Sequence, residues 1–279
     1  AGRLADMDAA GISMQVLSLS AAPLDRLPVA EAVPLIRDAN DVMAGAAQAH
    51  PTRFAAFAAL PLHDPDQAVV ELDRCVRQLG FKGVMVSGTV DGRFLDDARF
   101  TPFFEAAQAL DTPIYLHPAP PPEPVMRAYF GGLPGQLGPV LATAGWGWHV
   151  ETGLHALRLI TTGVFDRFPR LKIVIGHMGE NLPFSIARAE AVLGQVAGGL
   201  QRKVGEYFRE HFYLTTSGYF TRPPFDCMLQ VVGMDRILFS VDYPFSSNAT
   251  GRAFLDGLGL SPTDLAKVAH GNAAALLKL

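Results

Sequence analysis

Residues 173–184 read IVIGHMGENLPF. Ile173, Val174 and Ile175 are a short β-branched run of the kind that fills a strand buried on both faces. Packing alone does not ask for a histidine and an acid at the exit of such a strand, yet His177 and Glu180 follow Gly176 within four residues. The expectation is a strand that stops at Gly176, a helix that begins near His177, and chemistry between the two.

Outward from this stretch the same alternation recurs along the whole chain. Strand candidates are Ile12 to Leu19, 54–62, 80–88, 112–118, 171–177, 212–218 and 236–244, and helical patterns separate them. The helix expected over about 34–50 has Pro34 in its first turn, where proline costs no hydrogen bond. In the one expected over 65–79, Ala68, Val69, Leu72, Val76 and Leu79 recur at helical spacing before Gly80. Further helices are expected over about 100–110, 148–165 and 224–232. No break in composition divides the chain, so residues 1–279 read as a single domain.

Regular β-then-α order implies a parallel sheet with right-handed crossovers. An open doubly wound sheet would carry a glycine-rich phosphate turn, and neither GxGxxG nor GxxxxGK occurs. A closed (β/α)8 barrel would instead gather polar residues at the carboxyl ends of several strands. His117 ends TPIYLH, His177 ends LKIVIGH and Asp242 ends RILFSVD. The reading is a (β/α)8 TIM barrel in which the strand before RLADMDAAGI is lacking. Two imidazoles and a carboxylate at one barrel mouth are donors suited to a divalent ion such as Zn, Mn, Fe or Co.

Composition narrows the partners. The net charge is −4 and the basic residues are scattered, which argues against nucleic acid. No apolar run approaches the roughly 18 residues of a membrane span. Cys75 and Cys227 have no CxxC spacing and read as helix or core thiols in a reducing compartment, with a cytoplasmic address expected. The apolar share of 49 % and mean hydropathy of +0.20 are compatible with buried contacts between subunits. His149, His155 and His270 read as structural and His211 as a surface residue. Trp146 and Trp148 flank a loop above the mouth.

Four segments carry a resemblance: 92–121 (GRFLDDARFTPFFEAAQALDTPIYLHPAPP), 148–188 (ending GHMGENLPFSIAR), 213–245 (ending SVDYPF) and 270–279 (HGNAAALLKL). They resemble, in order, the amidohydrolase-related family of metal-dependent decarboxylases, and γ-resorcylate and 2,3-dihydroxybenzoate decarboxylases most of all. The resemblance implies a carboxy-lyase acting without oxidation on a small hydroxylated aromatic or enoic acid, with one divalent ion, Zn or Mn, as a homodimer or homotetramer. It implies His117 and Asp242 as metal ligands, Asp242 also as the acid, His177 as the active-site histidine and Glu180 as the acid that orients it. Arg188 would bind substrate and Phe245 would line an aromatic pocket. The family's Glu-x-His or His-x-His pair is missing from this sequence, and neither His50 nor His63 replaces it. Two alternatives remain at this stage: hydrolysis of a lactone, ester or amide on the same barrel, and a catalytically incomplete fragment.

Overall fold

The computed structural model describes residues 2–21, 24 and 27–279. Its centre is one curled sheet of strands β1 (Gln15–Leu17), β2 (Phe54–Ala58), β3 (Gly83–Ser87), β4 (Ile114–His117), β5 (Ile173–Ile175), β6 (Phe212–Thr215) and β7 (Ile237–Leu238). Each strand pairs in parallel with the next, so spatial order equals chain order. This is the barrel topology read from the β-then-α order together with the polar strand ends, with seven strands among the described residues. Helices cover the outside, and Phe100, Phe103, Phe165, Phe208 and Leu159 are fully buried between them and the sheet. Burial of each such side chain contributes about 1.5–3 kcal/mol.

The register fixes the mouth. Ser87 lies opposite His117, and Leu116 lies opposite Ile175, so the exits of β3, β4 and β5 share one rim. Beyond β7 the regular pairing loosens to a single backbone bond, Gly218 N to the Val241 carbonyl at 3.3 Å, with side-chain bonds beside it. Thr216 Oγ1 donates to the Ser240 carbonyl at 2.7 Å and accepts from the Ser240 amide at 3.0 Å. Phe239 to Asp242 therefore run along the rim outside the ladder, which is why β7 is far shorter than the apolar run suggests. On the opposite edge, Gln15 Nε2 of β1 donates to Asn248 Oδ1 at 3.2 Å, and Asp6 accepts from Tyr243 Oη at 2.5 Å.

Several boundaries differ from the sequence reading. The helix expected from Pro34 runs over Val29–Ala49, because Pro28 already accepts the amides of Glu31 and Ala32, and Pro34 sits inside it. The proline-rich stretch after β4 contains the helices Glu123–Phe130 and Leu137–Ala142. The helix expected over 148–165 is Gly147–Thr161, broken from Val164–Arg167 by Gly163 at φ 72°.

His211 is buried, not a surface residue. Its Nδ1 bonds the Leu171 carbonyl at 2.9 Å and its ring stacks on Phe165 at 4.4 Å. His155 is buried as well and accepts the Leu95 amide at Nε2, 2.9 Å. Cys75 and Cys227 are free thiols on helices. Among the described residues no helix is long and apolar enough to cross a membrane.

Candidate active site

After β5 the chain does not enter a right-handed helix. His177, Met178, Gly179, Glu180 and Asn181 all have positive φ (49°, 56°, 87°, 54° and 65°), a left-handed turn that ends where the helix Leu182–Leu193 begins. Such a conformation costs non-glycine residues roughly 1–2 kcal/mol each, and strain of this kind gathers at functional sites. Gly179 is obligatory on steric grounds too, since a Cβ there would fall 2.4 Å from Leu214 Cδ2. The turn directs both His177 and Glu180 into the interior.

There Glu180, 1 % exposed, uses both carboxylate oxygens. Oε1 meets His177 Nδ1 at 2.6 Å, and Oε2 meets His149 Nδ1 at 2.6 Å. His149 comes from the helix Gly147–Thr161, which packs so closely on the turn that a Cβ on Gly153 would lie 2.8 Å from the Glu180 carbonyl. Burial opposes the Glu180 charge, but hydrogen bonds from His149 and His177 outweigh it and hold the carboxyl below its ordinary value. Burial likewise opposes a charge on His177. The Asp242 and Glu180 carboxylates on either side overcome it and raise the imidazole to about 9.

His117 ends β4 with its Nδ1 2.7 Å from the Pro118 carbonyl. A carbonyl only accepts, so Nδ1 carries the proton and Nε2 keeps a lone pair. Burial, aided by the nearby His177 charge, lowers the His117 pKa and favours the neutral ring that metal binding requires. Its ring lies 6.2 Å from that of His177, centre to centre. Asp242 stands at φ 70° on the rim, with Oδ2 3.9 Å from His177 Nε2. Below them Tyr115 Oη lies 3.3 Å from Ser217 Oγ, which donates to Ser240 Oγ at 2.9 Å. Burial raises the Tyr115 phenol to about 12.

The donor chemistry fits one divalent ion. His149, His177 and Glu180 offer donor atoms within 4.8 Å of one another. Both Glu180 oxygens already hold Nδ1 atoms, however, so Glu180 is better suited to orienting imidazoles than to ligation. The groups left open are Nε2 of His117 and the Asp242 carboxylate, with the charged His177 beside them.

The structure thus gathers His117, His177 and Asp242 as their strand-end positions imply, and Glu180 with them through the turn after β5. It does not bring Arg188 or Phe245 to them: Arg188 is exposed on the helix Leu182–Leu193, and Phe245 is 88 % exposed. The residue that sequence reasoning missed is His149. It ends no strand and reaches Glu180 across 31 positions, so only its place beside two tryptophans in GWGWH hinted at a role.

A parallel barrel sheet with imidazoles and a carboxylate at its carboxyl rim defines a barrel enzyme of the metal-dependent type. The chain belongs to the amidohydrolase family, whose profile matches residues 1–279. It is 42 % identical to the decarboxylase orsB of Emericella nidulans over 286 residues, covering 100 % of this chain and 85 % of that protein. It is 42 % identical to the γ-resorcylate decarboxylase of Polaromonas sp. over 285 residues, covering 98 % of this chain and 85 % of the relative. Among solved structures, a dihydroxybenzoic acid decarboxylase from Polaromonas sp. with bound manganese and the inhibitor 2-nitroresorcinol superposes with a TM-score of 0.92 at 39 % identity. That match covers 100 % of this chain and 85 % of the other.

Proposed function

We propose that this protein is a metal-dependent, non-oxidative decarboxylase of a small hydroxylated aromatic acid of the γ-resorcylate type. The observation that carries the reading is His177, pinned at Nδ1 by Glu180 and facing Asp242 with Nε2, beside the neutral His117. The family relationship to decarboxylases of dihydroxybenzoic acids supports it.

The chemical difficulty is the electron pair left on carbon when CO2 departs. Asp242 would relay to the carboxyl-bearing ring carbon a proton taken from His177 Nε2, 3.9 Å away, leaving His177 neutral. The C–C bond then breaks, its electron pair restores the aromatic ring, and CO2 leaves. His177, charged between two carboxylates, holds Asp242 in place and attracts the substrate's anionic oxygens into a buried site. His117 and Asp242 would hold a divalent ion, Mn or Zn, which when bound supplies positive charge for the carboxylate and the adjacent phenolate. Arg188 and Phe245 are assigned to substrate binding by family resemblance. Both are exposed in the isolated chain, so that role requires the surface to be covered by another subunit.

The same consideration supports a homodimer or homotetramer. Trp146, Val150 and Leu154 recur every four residues along one face and are 54 %, 43 % and 45 % exposed. Phe184 is 88 % exposed on the helix that carries Arg188. Exposed apolar side chains at helical spacing offer a face for contact with a second subunit. Two free thiols fit a cytoplasmic setting.

The test is turnover of 2,6-dihydroxybenzoate by manganese-loaded protein, followed as resorcinol and CO2 by chromatography and mass spectrometry. Resorcinol formation that fails in Asp242→Asn supports the reading. Hydrolysis of lactones with no loss of carboxylate from any hydroxybenzoate would overturn it.

A further inference from the structure

The indole Nε1 of Trp148 lies 3.0 Å from Nε2 of His149. An indole N–H can only donate, so this bond requires a lone pair on His149 Nε2. The same nitrogen lies 3.3 Å from the Ala144 carbonyl, which can only accept and would require a proton there. The two demands are exclusive. The shorter contact, with the indole edge nearly perpendicular to the imidazole at 90°, decides for the lone pair. The proton of His149 is then on Nδ1, directed at Glu180 Oε2 at 2.6 Å.

We infer that Trp148 locks His149 in the Nδ1–H tautomer, and that His149 is a positioning residue which keeps Glu180 aligned on His177. With Nδ1–H on His149, Glu180 receives one N–H at each oxygen and stays a pure acceptor. The opposite tautomer would turn a lone pair towards a buried carboxylate. Glu180 would then have to rotate or take up a proton, and either change loosens its hold on His177 Nδ1. The close approach at Gly153 and the edge of Tyr219, 5.5 Å from His149, leave the imidazole little room to turn away. The Gly147–Thr161 helix is thereby wired to the rim through Trp148, His149, Glu180 and His177 in series. The tautomer follows from hydrogen-bond geometry alone, and its consequence for turnover rests on the decarboxylase reading.

The experiment is 15N–1H correlation spectroscopy of the imidazoles in 15N-histidine-labelled, metal-free full-length protein, with the His149 signals assigned by their absence from His149→Gln. The expected result is the Nδ1–H pattern for His149. In Trp148→Phe, which removes the donor but keeps an aromatic ring, His149 shifts towards the Nε2–H pattern with Ala144 as acceptor, and the His177 signals move with it. In the manganese-loaded protein kcat of Trp148→Phe falls about tenfold with KM changed less than about twofold, the scale seen when an outer partner of an active-site histidine is lost. His149→Gln, whose amide still donates, retains more activity than His149→Ala. An Nε2–H pattern in the unmodified protein, or Trp148→Phe spectra identical to it at both histidines, would overturn the inference. Absence of hydroxybenzoate turnover by unmodified protein counts against the decarboxylase reading and leaves the spectra to decide the tautomer.

Discussion

His177 Nδ1 and Glu180 Oε1 are 2.6 Å apart, joined across a turn whose residues all have left-handed φ. A right-handed turn would also set residues three apart on one face, but this one sends both side chains inward. Replacing Glu180 by Gln keeps the size and removes the charge that accepts two imidazole N–H groups. Activity is expected to fall by about 10- to 100-fold. Steady-state kinetics of the purified variant checks this, and wild-type kcat would refute the orienting role.

Gly179 has φ 87° and no space for a Cβ against Leu214 and Pro183. Gly179→Ala is expected to destabilise the fold by about 2–4 kcal/mol, from left-handed strain together with overpacking. Urea denaturation followed by circular dichroism measures the loss.

Glu71 is buried and bonds Arg74 at 2.7 and 2.8 Å and Asn40 at 2.8 Å, while Asn40 also pairs with both backbone groups of Ala59 just beyond β2. Burial disfavours the Glu71 charge, but bonds from Arg74 and Asn40 prevail and lower its pKa. Its unfolded value is about 4.3. The stability it contributes is therefore complete above that pH and is lost as pH falls through the lower folded value. Unfolding free energies between pH 6 and pH 3 should decline more steeply for the native protein than for Glu71→Gln.

Manganese is expected to raise the melting temperature, because an ion that binds only the folded chain stabilises it by about 2.7 kcal/mol at 100 times its dissociation constant. EDTA should reverse the shift. Differential scanning calorimetry of His117→Ala should show a much smaller rise than the native protein, while a full-sized rise would place the ion elsewhere.

The order of elements needed only local information. Apolar runs such as Ile173–Ile175 and Val84–Val86 alternate with helical periodicity, and parallel pairing follows from that alternation, whereas pairing in chain order rests also on the polar strand ends and the missing phosphate turn. His117, His177 and Asp242 were legible for the same reason: a polar residue at the end of a buried strand is anomalous within its own segment. Burial of His211 was not legible, because its partners Leu171 and Phe165 come from another part of the chain.

The left-handed turn after β5, the reach of His149 to Glu180 and the exposure of Arg188 and Phe245 were decided by tertiary structure alone. His149 and Arg188 depend on how their helices seat on the barrel. A helix pressed to within van der Waals contact at Gly153 brings His149 to an acid 31 residues away, a distance no periodicity encodes. Sequence by itself determined which strands exist and what chemistry stands at their ends. Three-dimensional packing determined which of those groups touch, because hydrogen bonds and charge depend on separations of a few ångströms across elements remote in the chain.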